Sequence, residues 1–203
     1  MKLKLGIVLL SSMVCASPAL CDTINFNNPT GTLGTSQSYS DGVTAYGFNI
    51  GTPNTATDLF GKNNTGTEHG VGIAGSPDNE ITSANFVQLD IASIMDPFTL
   101  TIGSTQDNQG FSVCFSNTLG MLGTSCTSYT DPGTDPFTTA VLTKPATLDN
   151  YVSVTGIGPA DAYHNVLLDS MTTIAPTPEP GSLFLLGTGI LGAAGAIRRR
   201  FVA

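Results

Sequence analysis

The central part of the chain, residues 22–174, has the pattern of short β-strands. Segments that alternate polar and apolar residues are separated by clusters of Gly, Asn, Asp, Pro and Ser. The predicted strands are residues 23–26, 43–50, 86–91, 98–102, 111–115, 151–154 and 166–174. No window keeps an apolar stripe at the 3.6-residue period of an amphipathic helix. We therefore expect a mainly β fold, with residues 22–174 forming a single β-sandwich of the jelly-roll type.

The first 21 residues have the layout of a secretory signal peptide. Lys2 and Lys4 precede an apolar run over residues 5–14, and the small residues Ala16, Ser17 and Ala19 follow it. A basic start, an apolar centre and a small-residue end are typical of such signals. Cleavage after Ala19 and cleavage after Cys21 both fit the pattern. The alternative is an N-terminal helix buried in the fold.

A second apolar segment, residues 181–197, is predicted to form a transmembrane helix. As a helix it would be about 26 Å long, slightly shorter than a hydrocarbon core of about 30 Å. Residues 198–203 form a basic tail whose three arginines can reach the interface and keep this end in the cytoplasm. The alternative, a buried soluble helix, does not explain three adjacent arginines. Basic residues at both ends predict that the body lies outside the cytoplasm.

The body between these segments is strongly acidic. From residue 22 to residue 180 there are fifteen acidic residues and two basic ones, Lys62 and Lys144, which gives a formal charge of −13. Such a surface has too few cations to replace the counterions of phosphates, so nucleic acid binding is excluded. Neutral glycans and divalent cations remain compatible. A low isoelectric point alone also keeps an exported protein soluble.

Two cysteines remain in the body, Cys114 and Cys126. Export permits a disulfide, and a hairpin centred on residues 119–121 would bring the two side chains together. The bond would contribute about 3 kcal/mol for a loop of this size. The alternative is two buried thiols.

The densest polar segment runs from Asp58 to Glu80, and it is a candidate calcium site. Calcium prefers carboxylate, amide and carbonyl oxygens, and the segment offers such groups at Glu68, Asp78, Asn79 and Glu80. It lacks EF-hand spacing. The alternative is that these residues form turns and cap strands.

No catalytic constellation is evident. The two histidines, His69 and His164, lie in no Gly-x-Ser-x-Gly context, and the chain has no zinc spacing and no phosphate loop. We interpret both as surface or loop residues. Acidic pairs such as Glu68 and Glu80 leave a polysaccharide hydrolase as an alternative, since glycosidases use two facing carboxylates. Trp is absent, which weakens a glycan-binding module built on Trp stacking.

The end of the chain resembles the PEP-CTERM sorting signal of Gram-negative bacteria. The residues that carry the resemblance are Pro178, Glu179 and Pro180 in the Pro-rich linker 175–180, the apolar Gly-rich segment, and Arg198, Arg199 and Arg200. The resemblance implies recognition by exosortase, transient anchoring in the inner membrane, and association with extracellular polysaccharide and biofilm. Because the chain shows targeting signals at both ends and no catalytic constellation, we expect no enzymatic activity and no cofactor beyond the possible calcium.

A second resemblance, to exported PEP-CTERM β-domains, covers residues 58–123. It rests on a Lys-Asn-rich segment, on Glu-x-Gly-x-Gly at 68–72, on Asn-Glu-Ile at 79–81, on Gln-Leu-Asp at 88–90 and on Ser-Asn-Thr-Leu-Gly at 116–120. This pattern implies no settled activity. The leading hypothesis is an exported, non-enzymatic surface or matrix protein, and the alternatives are a calcium-assisted carbohydrate-binding module and a matrix hydrolase.

Overall fold

The computed structural model describes residues 22–64, 68–94, 97–105, 109–145, 149–160, 164–174 and 188–190. One compact unit spans Cys21–Pro176 and contains the strands. The predicted signal peptide, the Pro-rich linker, the six predicted sorting residues and most of the predicted transmembrane helix lie outside the described residues. Residues 188–190 are helical. Across the described ranges, no helix is both long enough and apolar enough to cross a membrane.

The described residues form fourteen strands. They are β1 (Thr23–Asn25), β2 (Gly31–Gly34), β3 (Ser36–Ser38), β4 (Thr44–Asn49), β5 (Thr55–Ala56), β6 (Leu59–Asn63), β7 (His69–Ile73), β8 (Asn85–Asp90), β9 (Phe98–Gly103), β10 (Gly110–Ser116), β11 (Ser125–Thr130), β12 (Phe137–Thr138), β13 (Tyr151–Ile157) and β14 (Leu167–Thr173). Two short 3₁₀ turns, Ser40–Gly42 and Pro77–Asn79, connect some of them.

The strands pair into two antiparallel sheets. Sheet A has the order β12-β9-β14-β7-β6-β2, and β1 also pairs with β14. Sheet B has the order β11-β10-β13-β8-β4-β3, and β5 also pairs with β4. The prediction of a mainly β fold is confirmed. The finer assignment to the jelly-roll type stays a prediction.

One hydrophobic core joins the two sheets. It contains Val71, Leu100 and Leu168 from sheet A, and Val87 and Val154 from sheet B, all essentially inaccessible to solvent. Successive side chains of a strand point to opposite faces, so the alternation read from the sequence places one set of residues in this core. The other face of sheet B also carries a buried residue, Gln88, whose role is described below.

The hairpin of β6 and β7 lies within the polar segment and was not predicted as strands. Its five residue pairs run from Leu59–Ile73 to Asn63–His69. Glycines interrupt the apolar alternation that identifies strands. They are required by close backbone packing: a Cβ at Gly61 would overlap the carbonyl of Pro29, and one at Gly72 would overlap the carbonyl of Asn79. Glycine is therefore required at these two positions, because neighbouring backbone lies where a side chain would be.

Candidate functional site

The polar segment converges on one buried cation, Lys62. Its ammonium group lies 2.5 Å from Oε1 of Glu80 and 3.5 Å from Oε2 of Glu68. The hydroxyl of Ser104 donates a hydrogen bond of 3.0 Å to Oε1 of Glu80. Lys62 lies on β6, Glu80 follows the 3₁₀ turn Pro77–Asn79, and Ser104 follows β9. We call these four residues the Lys62 cluster.

Glu80 is the most buried carboxylate of this cluster, with 2 % of its surface exposed. Burial raises the pKa of Glu80 above its ordinary value, while the hydrogen bond and charge of Lys62 and the hydroxyl of Ser104 lower it. Its second oxygen, Oε2, is buried and has no hydrogen-bond partner in the structure. Ser104 itself adopts a positive φ of 57°, a conformation that costs energy for a residue other than glycine.

The structure brings together two of the four predicted calcium ligands. Glu68 and Glu80 meet at Lys62, so a protein cation lies between these carboxylates. Asp78 is exposed on the 3₁₀ turn. The side-chain oxygen of Asn79 accepts a hydrogen bond of 3.0 Å from the backbone N–H of Gly75, which is a turn-forming role. In the ranges that the structure describes, no three His, Cys, Asp or Glu side chains are arranged to hold a metal ion.

A shallow groove of about 400 Å³ lies beside the Lys62 cluster. Its walls combine an aromatic ring, several amides and one cation, and they are formed by Thr30, Gly31, Phe60, Gly61, Lys62, Asn63, Asn64 and Asn79. Amide groups both donate and accept hydrogen bonds, and an aromatic ring offers an apolar face. We call this the β6 groove. It suits a neutral, hydroxyl-rich ligand.

A second polar network joins two elements of the resemblance over residues 58–123. Gln88 is fully buried. Its side-chain N–H groups donate to the carbonyl of Met121 at 2.9 Å and to the hydroxyls of Ser153 and Ser116 at 3.1 and 3.3 Å. Its side-chain oxygen accepts a hydrogen bond of 2.7 Å from the N–H of Gly120. The Gln-Leu-Asp strand therefore holds the Ser-Asn-Thr-Leu-Gly loop.

The two histidines lie apart in the structure. His69 is half-buried on β7, and its Nδ1 is buried without a hydrogen-bond partner. Burial raises the pKa of Asp169 on β14, the charge of His69 lowers it, and the charge of Asp135 raises it. His164 packs beside Gly158. Sequence reasoning missed the neighbourhood of His69 and Asp169 because a hundred residues separate them; only strand pairing joins them.

Cys114 and Cys126 form a disulfide. The two residues lie directly opposite each other in the pairing of β10 and β11, which is the hairpin expected from the sequence. The bond ties the outermost strand of sheet B to its neighbour.

Comparison with known protein families finds a match at the C-terminal end of the chain. The model of the PEP-CTERM protein-sorting motif matches residues 176–200. The chain carries a PEP-CTERM sorting motif. The match includes Pro178, Glu179, Pro180 and the three arginines, so the resemblance stated from these residues is confirmed. A PEP-CTERM motif is a signal for export and sorting, and this protein is therefore a sorted, exported protein. No curated protein and no solved structure matches the chain.

Proposed function

We propose that this PEP-CTERM protein is delivered to the cell surface or extracellular matrix by a transient membrane anchor and works there without enzymatic activity. The motif at residues 176–200 is the observation that carries the proposal. In this proposal, residues 181–197 hold the exported chain in the inner membrane. Exosortase then recognises Pro178, Glu179 and Pro180 and releases the body. The acidic body remains soluble outside the cell and associates with exopolysaccharide or biofilm.

The Lys62 cluster argues against a glycosidase that uses Glu68 and Glu80 as its two carboxylates. A glycosidase needs one carboxylic acid to protonate its substrate and a second carboxylate to attack or activate water. Here Lys62 lies against both Glu68 and Glu80, and Glu80 is almost inaccessible to solvent. A carboxylate held by a lysine in a closed position does not reach a substrate. The cluster is better suited to fixing the β6–β7 hairpin to the end of β9.

The delivery proposal is tested in the native host with two variants. Deletion of residues 178–203 should abolish membrane retention and matrix delivery. Glu179→Gln keeps the apolar segment and the arginines, so this variant should stay in the inner membrane with its terminus at Ala203 intact. Cell fractionation and mass spectrometry of the C terminus measure both effects. Unchanged delivery of the deletion variant, or release of Glu179→Gln at the wild-type rate, contradicts the proposal.

A second candidate function is carbohydrate binding, which the composition of the β6 groove favours. Asn63, Asn64 and Asn79 present amides beside the ring of Phe60, a combination that matches the hydroxyls and the apolar face of a neutral sugar.

Glycan-array binding by the exported protein tests this function. Phe60→Ala should weaken binding about fivefold, since loss of a stacking ring costs on the order of 1 kcal/mol. Tyr151→Ala, on sheet B, is the matched aromatic control and should bind as the wild type does. Loss of binding in a chelator would indicate calcium assistance. A wild-type protein that binds no glycan excludes this candidate and leaves the delivery proposal unaffected.

A further inference from the structure

Strand β11 is an exposed edge of sheet B. Its six residues, Ser125–Thr130, are exposed except for Tyr129, which is half-buried. It pairs on one side with β10 over six consecutive residue pairs without a register shift. It carries no charged residue and no proline. An exposed strand of this kind is open to pairing with another strand, because charges, prolines, bulges or shortness are the usual protection of an edge.

The other edges formed by described strands are protected in these ways. In sheet A, β1 has three residues, and β12 has two and follows Pro136. β2 has four residues, and its register shifts between Thr32 and Gly34. At the far side of sheet B, β3 has three residues and β5 has two. The contrast within one molecule indicates that the open edge of β11 is specific to this strand.

The free backbone groups of β11 follow from its pairing with β10. The Cα atoms of Cys114 and Cys126 are 4.0 Å apart, which is nearer to the separation of about 4.5 Å in a non-hydrogen-bonded antiparallel pair than to the value of about 5.5 Å in a hydrogen-bonded one. The N–H and C=O of Cys126 therefore point away from β10. The same holds for Ser128 and Thr130, which follow at the two-residue period. Asp131, one residue further, donates its N–H to Gln109 on the β10 side, as this alternation requires.

We propose that β11 pairs antiparallel with β11 of a second copy of this chain, about a two-fold axis at Ser128. In this register Ser128 exchanges both backbone hydrogen bonds with its own copy. Cys126 of each copy exchanges hydrogen bonds with Thr130 of the other. The three residues whose backbone groups face outward are thus satisfied by the same three residues, so the edge is complementary to itself and the contact closes as a dimer.

The absence of charge on β11 permits a second copy as the occupant, although the net charge of the body opposes association elsewhere on its surface. A body of formal charge −13 repels its own kind over most of its surface, and β11 is a six-residue stretch without charge. A basic peptide would be drawn to carboxylates, and this strand offers none. Like charges placed opposite each other destabilise strand pairs, whereas the hydroxyl-bearing residues of two β11 strands meet without this penalty.

The strand is already held in place for such pairing. The disulfide ties Cys126 to β10. The ring of Tyr129 stacks on that of Phe111, with their centres 5.2 Å apart, and it packs against the core. A pre-ordered edge loses little conformational freedom when it binds.

The first test compares the mass of full-length variants in detergent after export. Ser128→Pro removes an outward N–H without removing a hydrogen bond to β10, so the dimer should dissociate at least tenfold more readily while the melting temperature changes little. Ser112→Ala is the matched control, because it removes the same 3.0 Å contact between the hydroxyls of Ser112 and Ser128 and leaves the edge intact. Light scattering or sedimentation gives the masses. A monomeric wild type, or a dimer that persists in Ser128→Pro, overturns the proposal.

The second test maps the two-fold axis. Ser128→Cys should form a covalent dimer under mild oxidation, since the residue faces its own copy. Ser112→Cys lies one strand away from the axis and should not exceed the background of the wild type. Non-reducing electrophoresis of the full-length chain measures both. Equal cross-linking of the two variants contradicts the proposed register, and capture of an unrelated strand by a monomeric chain would assign the edge to a different partner.

Discussion

Lys62 is the residue at which β6, the turn before β8 and the end of β9 meet. With 9 % of its surface exposed, it neutralises Glu80 in a site from which water is largely excluded. A buried ion pair returns little net stability compared with apolar residues, but removal of one partner leaves an uncompensated charge. The cluster therefore makes the position of Glu80 depend on a residue eighteen positions earlier in the chain.

Lys62→Met should destabilise the protein by about 3–5 kcal/mol at neutral pH, because Glu80 would remain buried without its cation. The deficit should shrink in acid. Burial already raises the pKa of Glu80 above its usual value of 4.5, and loss of Lys62 raises it further. Because the pKa of Glu80 is higher in the folded state than in the unfolded state, protonation of Glu80 stabilises the folded protein. The variant therefore keeps its stability at low pH and loses it as the pH rises through the folded-state pKa of Glu80. Urea unfolding at neutral and acidic pH measures the difference.

Glu68→Gln is the matched control for this variant. Its carboxylate is half-exposed and lies 3.5 Å from Lys62, so its loss should cost no more than about 1 kcal/mol. A Lys62→Met protein as stable as Glu68→Gln at neutral pH would show that Glu80 does not depend on Lys62.

On the outer face of sheet B, side-chain hydrogen bonds hold the loop that follows β10. Gln88 on β8 points away from the core residues Val87 and Leu89, yet it is fully buried because the loop after β10 covers it. Asn54 adds a hydrogen bond of 2.9 Å to the carbonyl of Gly120. The loop is thus fixed by side-chain amides, which satisfy backbone groups that would otherwise lose their water partners.

Gln88→Leu should destabilise the protein by about 1–3 kcal/mol, since the N–H of Gly120 and the carbonyl of Met121 lose their partner beneath the loop. Hydrogen exchange at Gly120 should become faster, while exchange in β10 should change much less. Gln37→Leu is the control, because that amide makes an exposed contact with the next residue only. Unchanged exchange at Gly120 in Gln88→Leu would mean that Asn54 alone holds the loop.

On the scale of the whole molecule, an acidic body of two antiparallel sheets is joined to a sorting motif. Export places the body in an oxidising compartment, where a disulfide such as that between Cys114 and Cys126 persists. The motif determines where the protein travels, and the body determines what it contacts there. The open edge of β11 and the β6 groove are formed by different residues, so the proposed self-association and the proposed ligand binding can be tested by separate substitutions.

The sequence by itself determined the strand class of the body and the sorting signal. Alternation at β4, β8, β9 and β10 is a local pattern, because the period of two follows from the backbone of each strand alone. The sorting motif is likewise contiguous, so its order and spacing were readable without a fold. The hairpin that pairs Cys114 with Cys126 spans few residues and was predicted for the same reason.

Tertiary structure decided what the polar residues do. Glu68 and Glu80 were read as possible calcium ligands, and only the packing of β6 against the turn before β8 placed Lys62 between them. β6 and β7 themselves escaped prediction because their glycines serve contacts with segments distant in the chain. The neighbourhood of His69 and Asp169 likewise depends on the pairing of β7 with β14. Local periodicity reports the conformation of a segment, whereas the partner of a buried charge or of an edge strand depends on long-range pairing that no single segment contains.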